Sequence, residues 1–169
     1  PLDRRGDLSH GHGPHRDPIP GLDGAGRHRL PRARRGAAGA AAHAQAAQVI
    51  EVYKTPTCGC CHDWVAHLEQ NGFTVNAHDV PNTTPYRTRF GVPKELASCH
   101  TGVIDGYALE GHVPASEIKR LLAERPKARG LSVPGMPVGT PGMEVEGTRR
   151  DAHDVILFAD DGSRKVYRH

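Results

Sequence analysis

Apolar residues gather into short, punctuated runs from residue 49 onward, whereas earlier in the chain they are only scattered. Val49-Ile50-Glu51-Val52-Tyr53 is β-branched and aromatic and is closed by Thr55-Pro56-Thr57, which predicts a first strand. Residues 61–70 instead put Trp64, Val65 and Leu68 at helical spacing and stop at Asn71-Gly72, the signature of an amphipathic helix packed on a sheet. Residues 73–80 alternate well enough for a second strand. Thr84-Pro85 then offers an N-cap followed by proline at the first helical position, so a short helix to about Phe90 is expected. Gly91-Val92-Pro93 breaks it, and residues 93–97 allow one further turn before Ser98-Cys99-His100-Thr101.

Val103-Ile104 and Tyr107-Ala108-Leu109 flank Asp105-Gly106, a strong hairpin signal. Residues 114–124 open with proline and small residues, carry Ile118, Leu121 and Leu122 on one face, and should form a helix ending before Pro126. Residues 130–147 read as a Gly/Pro-rich loop. Residues 155–158 and 165–167 flank the turn 160–163, predicting a closing hairpin. Strands that alternate with helices imply an α/β sheet.

The segment 1–48 is rich in Arg, His, Gly, Pro and Ala and has too little apolar surface to fold alone. It reads as a disordered tail or as a degenerate or misread export leader. Ala42-His43-Ala44 has the small-x-small ending of a cleavage site, but the apolar stretch that should precede it is missing. His10, His12, His15 and His28 offer a further, weaker metal-binding tract.

Charge changes the picture once it is divided along the chain. The net +3 comes from this first segment, with 8 Arg against 4 Asp, and leaves 14 Lys/Arg against 15 Asp/Glu in residues 49–169. The Arg-rich part has no aromatic residues, which argues against nucleic-acid binding. No window of about 18 largely apolar residues exists to form a membrane-spanning helix.

The 4 cysteines carry the chemistry. Cys58, Cys60 and Cys61 fall where the first strand gives way to the first helix, and a helix N-terminus lowers thiol pKa and favours thiolate. Thiolate is the form that ligates metal or attacks disulfides. A thiolate cluster with thioethers available suits copper(I), and zinc is the alternative, since it takes four N/S donors. Met136 and Met143 lie in the Gly/Pro-rich loop, where small residues let the backbone approach a site. His112 follows the central hairpin, and His62 and His100 adjoin cysteines, so each can ligate metal or orient a thiol. His67, His78 and His153 have no soft donors beside them in the sequence and are left outside the site. A structural pair of disulfides would need a strained adjacent bridge or long-range partners.

The element order, with cysteines at the first strand–helix junction, resembles the thioredoxin and glutaredoxin fold, and Cys58 and Cys61 have its C-x-x-C spacing. That fold places a cis-proline before its third strand, facing the C-x-x-C, whereas Ser98-Cys99-His100-Thr101-Gly102 has no proline there. The alignment therefore implies that Cys99 and His100 face the first cluster.

The C-x-C-C stretch, Ser98-Cys99-His100-Thr101, and the pair Gly135-Met136-Pro137 and Gly142-Met143 together resemble a bacterial thioredoxin-like metal-binding family. That family was catalogued as a domain of unknown function and is associated with periplasmic copper resistance. The resemblance spans roughly residues 50–167.

It implies an α/β, thioredoxin-like fold with a Gly/Pro-rich loop and a C-terminal β-hairpin extension over residues 49–169. It also implies a periplasmic protein that binds or passes on copper(I) through Cys58, Cys60, Cys61 and Cys99, with Met136, Met143 and His112 as further donors. Its partners would be the metal ion and other copper-handling proteins. The rival is a thiol-disulfide or metal-linked oxidoreductase with Cys58 as exposed nucleophile and Cys61 as resolving thiol.

Overall fold

The computed structural model describes residues 48–169, so the expectations for a tail or leader, for Ala42-His43-Ala44 and for a histidine tract lie outside the described residues. Within them the chain is mixed α/β, built on one seven-stranded sheet with the order β2-β1-β3-β4-β5-β6-β7. The strands are β1 (Val49–Lys54), β2 (Thr74–Asp79), β3 (Thr101–Ile104), β4 (Tyr107–Glu110), β5 (Gly130–Ser132), β6 (Val155–Phe158) and β7 (Arg164–Arg168). The helices are α1 (Gly59–Gln70), α2 (Thr84–Arg89) and α3 (Ala115–Glu124), with a single 3₁₀ turn at Lys94–Leu96.

Side-chain alternation along the strands divides the interior in two. Ile50, Val52, Leu109, Leu131 and Leu157 face α1 and α3 and form the main core with Trp64, Leu68, Ile118 and Leu121. Ala108 and Phe158 point the other way and pack with Val92 and Leu96. Cys61, Trp64 and Leu68 are the buried stripe of α1 at helical spacing, and Val65 packs at its margin. The central hairpin turns at Asp105-Gly106 with φ of 49° and 83°, the left-handed pair that a two-residue turn of this hand requires. Thr83 rather than Thr84 stands at the N-cap of α2, and Asn82 Oδ1 accepts the Thr84 N–H at 2.9 Å. Asn82 thereby takes the capping part, because it lies two residues before the free N–H.

The expected loop over residues 130–147 is corrected at its start. Gly130–Ser132 is a strand, parallel to β4 and antiparallel to β6. Gly130 makes that pairing possible: a Cβ there would lie 1.9 Å from the Ala108 carbonyl oxygen. A glycine that signals a loop in sequence is here the point of closest strand approach. As a result the C-terminal hairpin is not a separate appendage but the continuation of the central sheet.

Topology also decides where chemistry can collect. β1 ends at Lys54, β3 begins at Thr101 opposite Tyr53, and β4 ends at Glu110 opposite Thr101. The segments that leave or enter these inner strands at this one end of the sheet carry Cys58 to Cys61, Cys99-His100 and His112.

Candidate metal centre

Cys58 occupies the N-cap of α1 in extended conformation, its carbonyl accepting the His62 N–H at 3.4 Å and its side chain making no cap bond to the first-turn N–H groups. Cys58 and Cys61 are joined by a disulfide, and Cys60 and Cys99 are free. Cys60 Sγ lies 3.6 Å from Cys58 Sγ, and Cys99 Sγ lies 3.7 Å from Cys61 Sγ. All four sulfurs fall within 4.8 Å of one another, a spacing compatible with a shared metal ion once the disulfide is reduced.

A second group overlaps the first at Cys99. Its Sγ is 3.3 Å from His112 Nε2 and 3.2 Å from His100 Nδ1. The other nitrogen of His112, Nδ1, lies 2.9 Å from the Pro141 carbonyl oxygen. A carbonyl only accepts, so neutral His112 carries its proton on Nδ1 and turns the Nε2 lone pair toward Cys99. Burial lowers the His112 pKa, opposed by the Pro141 hydrogen bond and the Glu144 charge, so the imidazole is held in its ligand form.

His100 is fully buried, tilted against Trp64 at 4.3 Å and edge-on to His112 at 4.9 Å between ring centroids. Burial, and secondly the neighbouring His112, push its pKa down to about 3. Its Nε2 is buried without a hydrogen-bond partner. Burial raises the Cys99 thiol to about 12, reinforced by Cys60. Without a metal Cys99 is therefore a neutral thiol; a bound cation supplies the charge that makes thiolate the stable form.

The Gly/Pro-rich loop reaches this site. Gly142, at φ +81°, packs so closely on the first turn of α1 that a Cβ would meet Trp64 N at 2.7 Å and Cys60 O at 2.8 Å. Gly135 accepts a hydrogen bond from Ser98 Oγ, and Ser98 neighbours Cys99. Met143 follows Gly142 and is half-buried, whereas Met136 is 54% exposed.

The other histidines have different partners. His62 Nε2 accepts a hydrogen bond from the buried Lys54 ammonium at 2.8 Å, and Lys54 also pairs with Asp79. His67 Nε2 accepts the N–H of Ala115 at 3.1 Å and so caps the N-terminus of α3. His78, on the outer strand β2, pairs with Glu51 of β1.

Sequence reasoning missed the fully buried Glu110 and its partner Arg87, which bond to Ser98 beside Cys99, and the Pro141 carbonyl that orients His112. A signal existed only for Glu110, a carboxylate at the end of an apolar strand.

Two solved structures, described as copper resistance protein CopG in form 2 and form 1, match over 72% of this chain with 48% identity and a TM-score of 0.68. They are covered to 96% and 95% of their own length. The chain belongs to the CopG family. A family model described as a protein of unknown function, DUF411, matches residues 96–143, the part that holds Cys99, His100, His112, Met136 and Met143. No curated protein matches. The first cysteine cluster lies before the DUF411 segment, so the candidate donors come from inside and outside that segment.

Proposed function

We propose that this protein binds copper(I) and serves copper resistance or handling, with Cys58, Cys60, Cys61 and Cys99 as thiolate ligands in the reduced state. His112 adds a nitrogen donor and Met143 a thioether. The observation that carries this reading is the convergence of four sulfurs from two separate segments with an imidazole lone pair already turned toward one of them. A soft, sulfur-rich set with few oxygens favours copper(I), and zinc is its competitor. The relatives' name, copper resistance protein, supports the same direction.

Several finer features belong to this reading. The order β2-β1-β3-β4, with β1 parallel to β2 and α1 between them, supports a thioredoxin-like core to which β5, β6 and β7 are added. A cysteine pair able to form a disulfide suits an oxidising compartment such as the periplasm. Exchange with other copper-handling proteins would take place on the exposed side of the site, where Gly59 and His62 meet solvent.

A second reading is favoured by the Cys58–Cys61 disulfide itself. Cys58 is partly exposed and Cys61 buried, the arrangement of an attacking and a resolving thiol in an oxidoreductase.

The test is an anaerobic titration of the reduced full chain with copper(I) and, separately, zinc against competing chelators, with thiols counted before and after. Copper(I) retained in preference to zinc, with all four thiols protected, is the expected result. Loss of copper to a weak chelator, together with reversible cycling of the Cys58–Cys61 disulfide, would replace it with the oxidoreductase.

A further inference from the structure

Cys99 and His100 sit on a stretch that belongs to no regular element. Residues 97–100 run between the Lys94–Leu96 turn and the start of β3. Their own backbone bonds lie at the two ends, Ala97 O accepting the Gly135 N–H and His100 O the Gly111 N–H, each at 3.1 Å. A donor on such a segment needs another source of fixed position, because a metal site a fraction of an ångström too loose loses affinity.

That source lies directly beneath. Glu110, fully buried at the end of β4, accepts the Ser98 N–H on Oε1 at 2.7 Å and the Thr101 hydroxyl on Oε2 at 2.6 Å. Arg87 of α2 donates through Nε to Glu110 Oε1 at 2.7 Å and through Nη2 to the Ser98 carbonyl at 2.6 Å. Both backbone groups of Ser98, and the side chain of Thr101, are thus tied to one ion pair whose carboxylate is fully buried and whose guanidinium is largely so. The residues between them are Cys99 and His100.

We propose that the Arg87–Glu110 pair is a positioning device of the metal centre, a clamp that fixes Cys99 and His100 at both ends. The inference deepens the copper reading and rests on it. A buried ion pair is a poor way to gain stability, since apolar residues of similar volume commonly do as well or better. Its use here matches what the segment needs: a carboxylate that accepts from three donors sets direction as well as distance. Arg87 reaches the segment from α2, so the clamp ties the helix, β4 and the segment into one unit.

The experiment compares the reduced full chain with Glu110→Gln, with Arg87→Lys, with the paired apolar variant Arg87→Met/Glu110→Leu, and with Leu122→Ala in α3 as a control for general loss of stability. Copper(I) affinity, the copper–thiolate absorption band and the alkylation rate of Cys99 in the metal-free protein are read for each. The clamp variants should lose about tenfold or more in copper(I) affinity, shift the band and expose Cys99 to faster alkylation. Leu122→Ala should leave all three near wild type.

If Glu110→Gln fails to fold, Arg87→Lys and the paired variant, which leaves no lone buried charge, carry the measurement. A folded clamp variant with wild-type affinity, band and Cys99 alkylation overturns the proposal. Should wild type itself bind no copper(I), the functional reading fails separately, and unchanged Cys99 alkylation in the clamp variants would overturn the clamp as well.

Discussion

Cys99 is the residue at which the two donor groups meet: it approaches Cys61 on one side and His112 and His100 on the other. Its removal should therefore cost more than removal of Cys60, which the overlapping nitrogen group does not include. Cys99→Ser is expected to abolish tight copper(I) binding, and Cys60→Ser to lower stoichiometry or affinity while leaving a residual site. Metal analysis after gel filtration separates the two, and unchanged metal content in both variants would remove the four-thiol ligand set. His112→Ala should reduce copper(I) affinity by about tenfold or more while the number of titratable thiols stays the same. Competition titration checks it. The sequence offers the cysteines as candidate donors because they cluster at a strand–helix junction, and His112 because it follows the central hairpin. His62 could not be distinguished from them there; only its contact with Lys54 gives it another role.

Secondary structure followed the hydrophobic pattern wherever the pattern was long. The stripe of Trp64 and Leu68 gave α1, Ile118 with Leu121 and Leu122 gave α3, and Asp105-Gly106 gave the central hairpin. The pattern failed at β5, where Gly130 and the prolines beyond it resemble loop and only the close passage of Ala108 makes a strand. The loop after β5 is bound to α1 through Gly142, and that contact carries a prediction at this scale. Gly142→Ala must place a Cβ into the backbone of Cys60 and Trp64 at positive φ, a strain of roughly 1–3 kcal/mol. The variant should fold, expose residues 134–147 to proteolysis and release copper(I) faster, with little change in the number of ions bound. Limited proteolysis and stopped-flow transfer to a chelator provide the readings; wild-type rates in both would mean the loop does not cover the site.

Across the whole molecule, burial of neutral imidazole couples stability to pH. His100 has a folded-state pKa of about 3 against 6.5 when exposed, so the unfolded chain takes up its proton first as the pH falls. The metal-free protein should be fully supported by this group above about pH 6.5 and lose about 1.4 kcal/mol per pH unit below it, until the folded form also protonates. His112 shifts in the same direction and adds to the slope. Denaturation curves of wild type and His100→Leu between pH 7 and pH 4 test this, the variant showing the flatter dependence. Parallel slopes would mean that His100 is not held neutral by burial. Among the described residues no helix is long and apolar enough to cross a membrane.

The sequence alone determined the α/β class, the helices and hairpins with strong periodicity, the cysteine set and the relation to a copper-resistance family, because each of these depends on local order along the chain. Only the tertiary structure decided that β5 joins two hairpins into one sheet, that His112 takes one tautomer and His62 another partner, and that Glu110 and Arg87 hold the residues on either side of Cys99 and His100. Those features arise where segments distant in sequence meet, and the pairing of strands, not the pattern within any of them, brings them there.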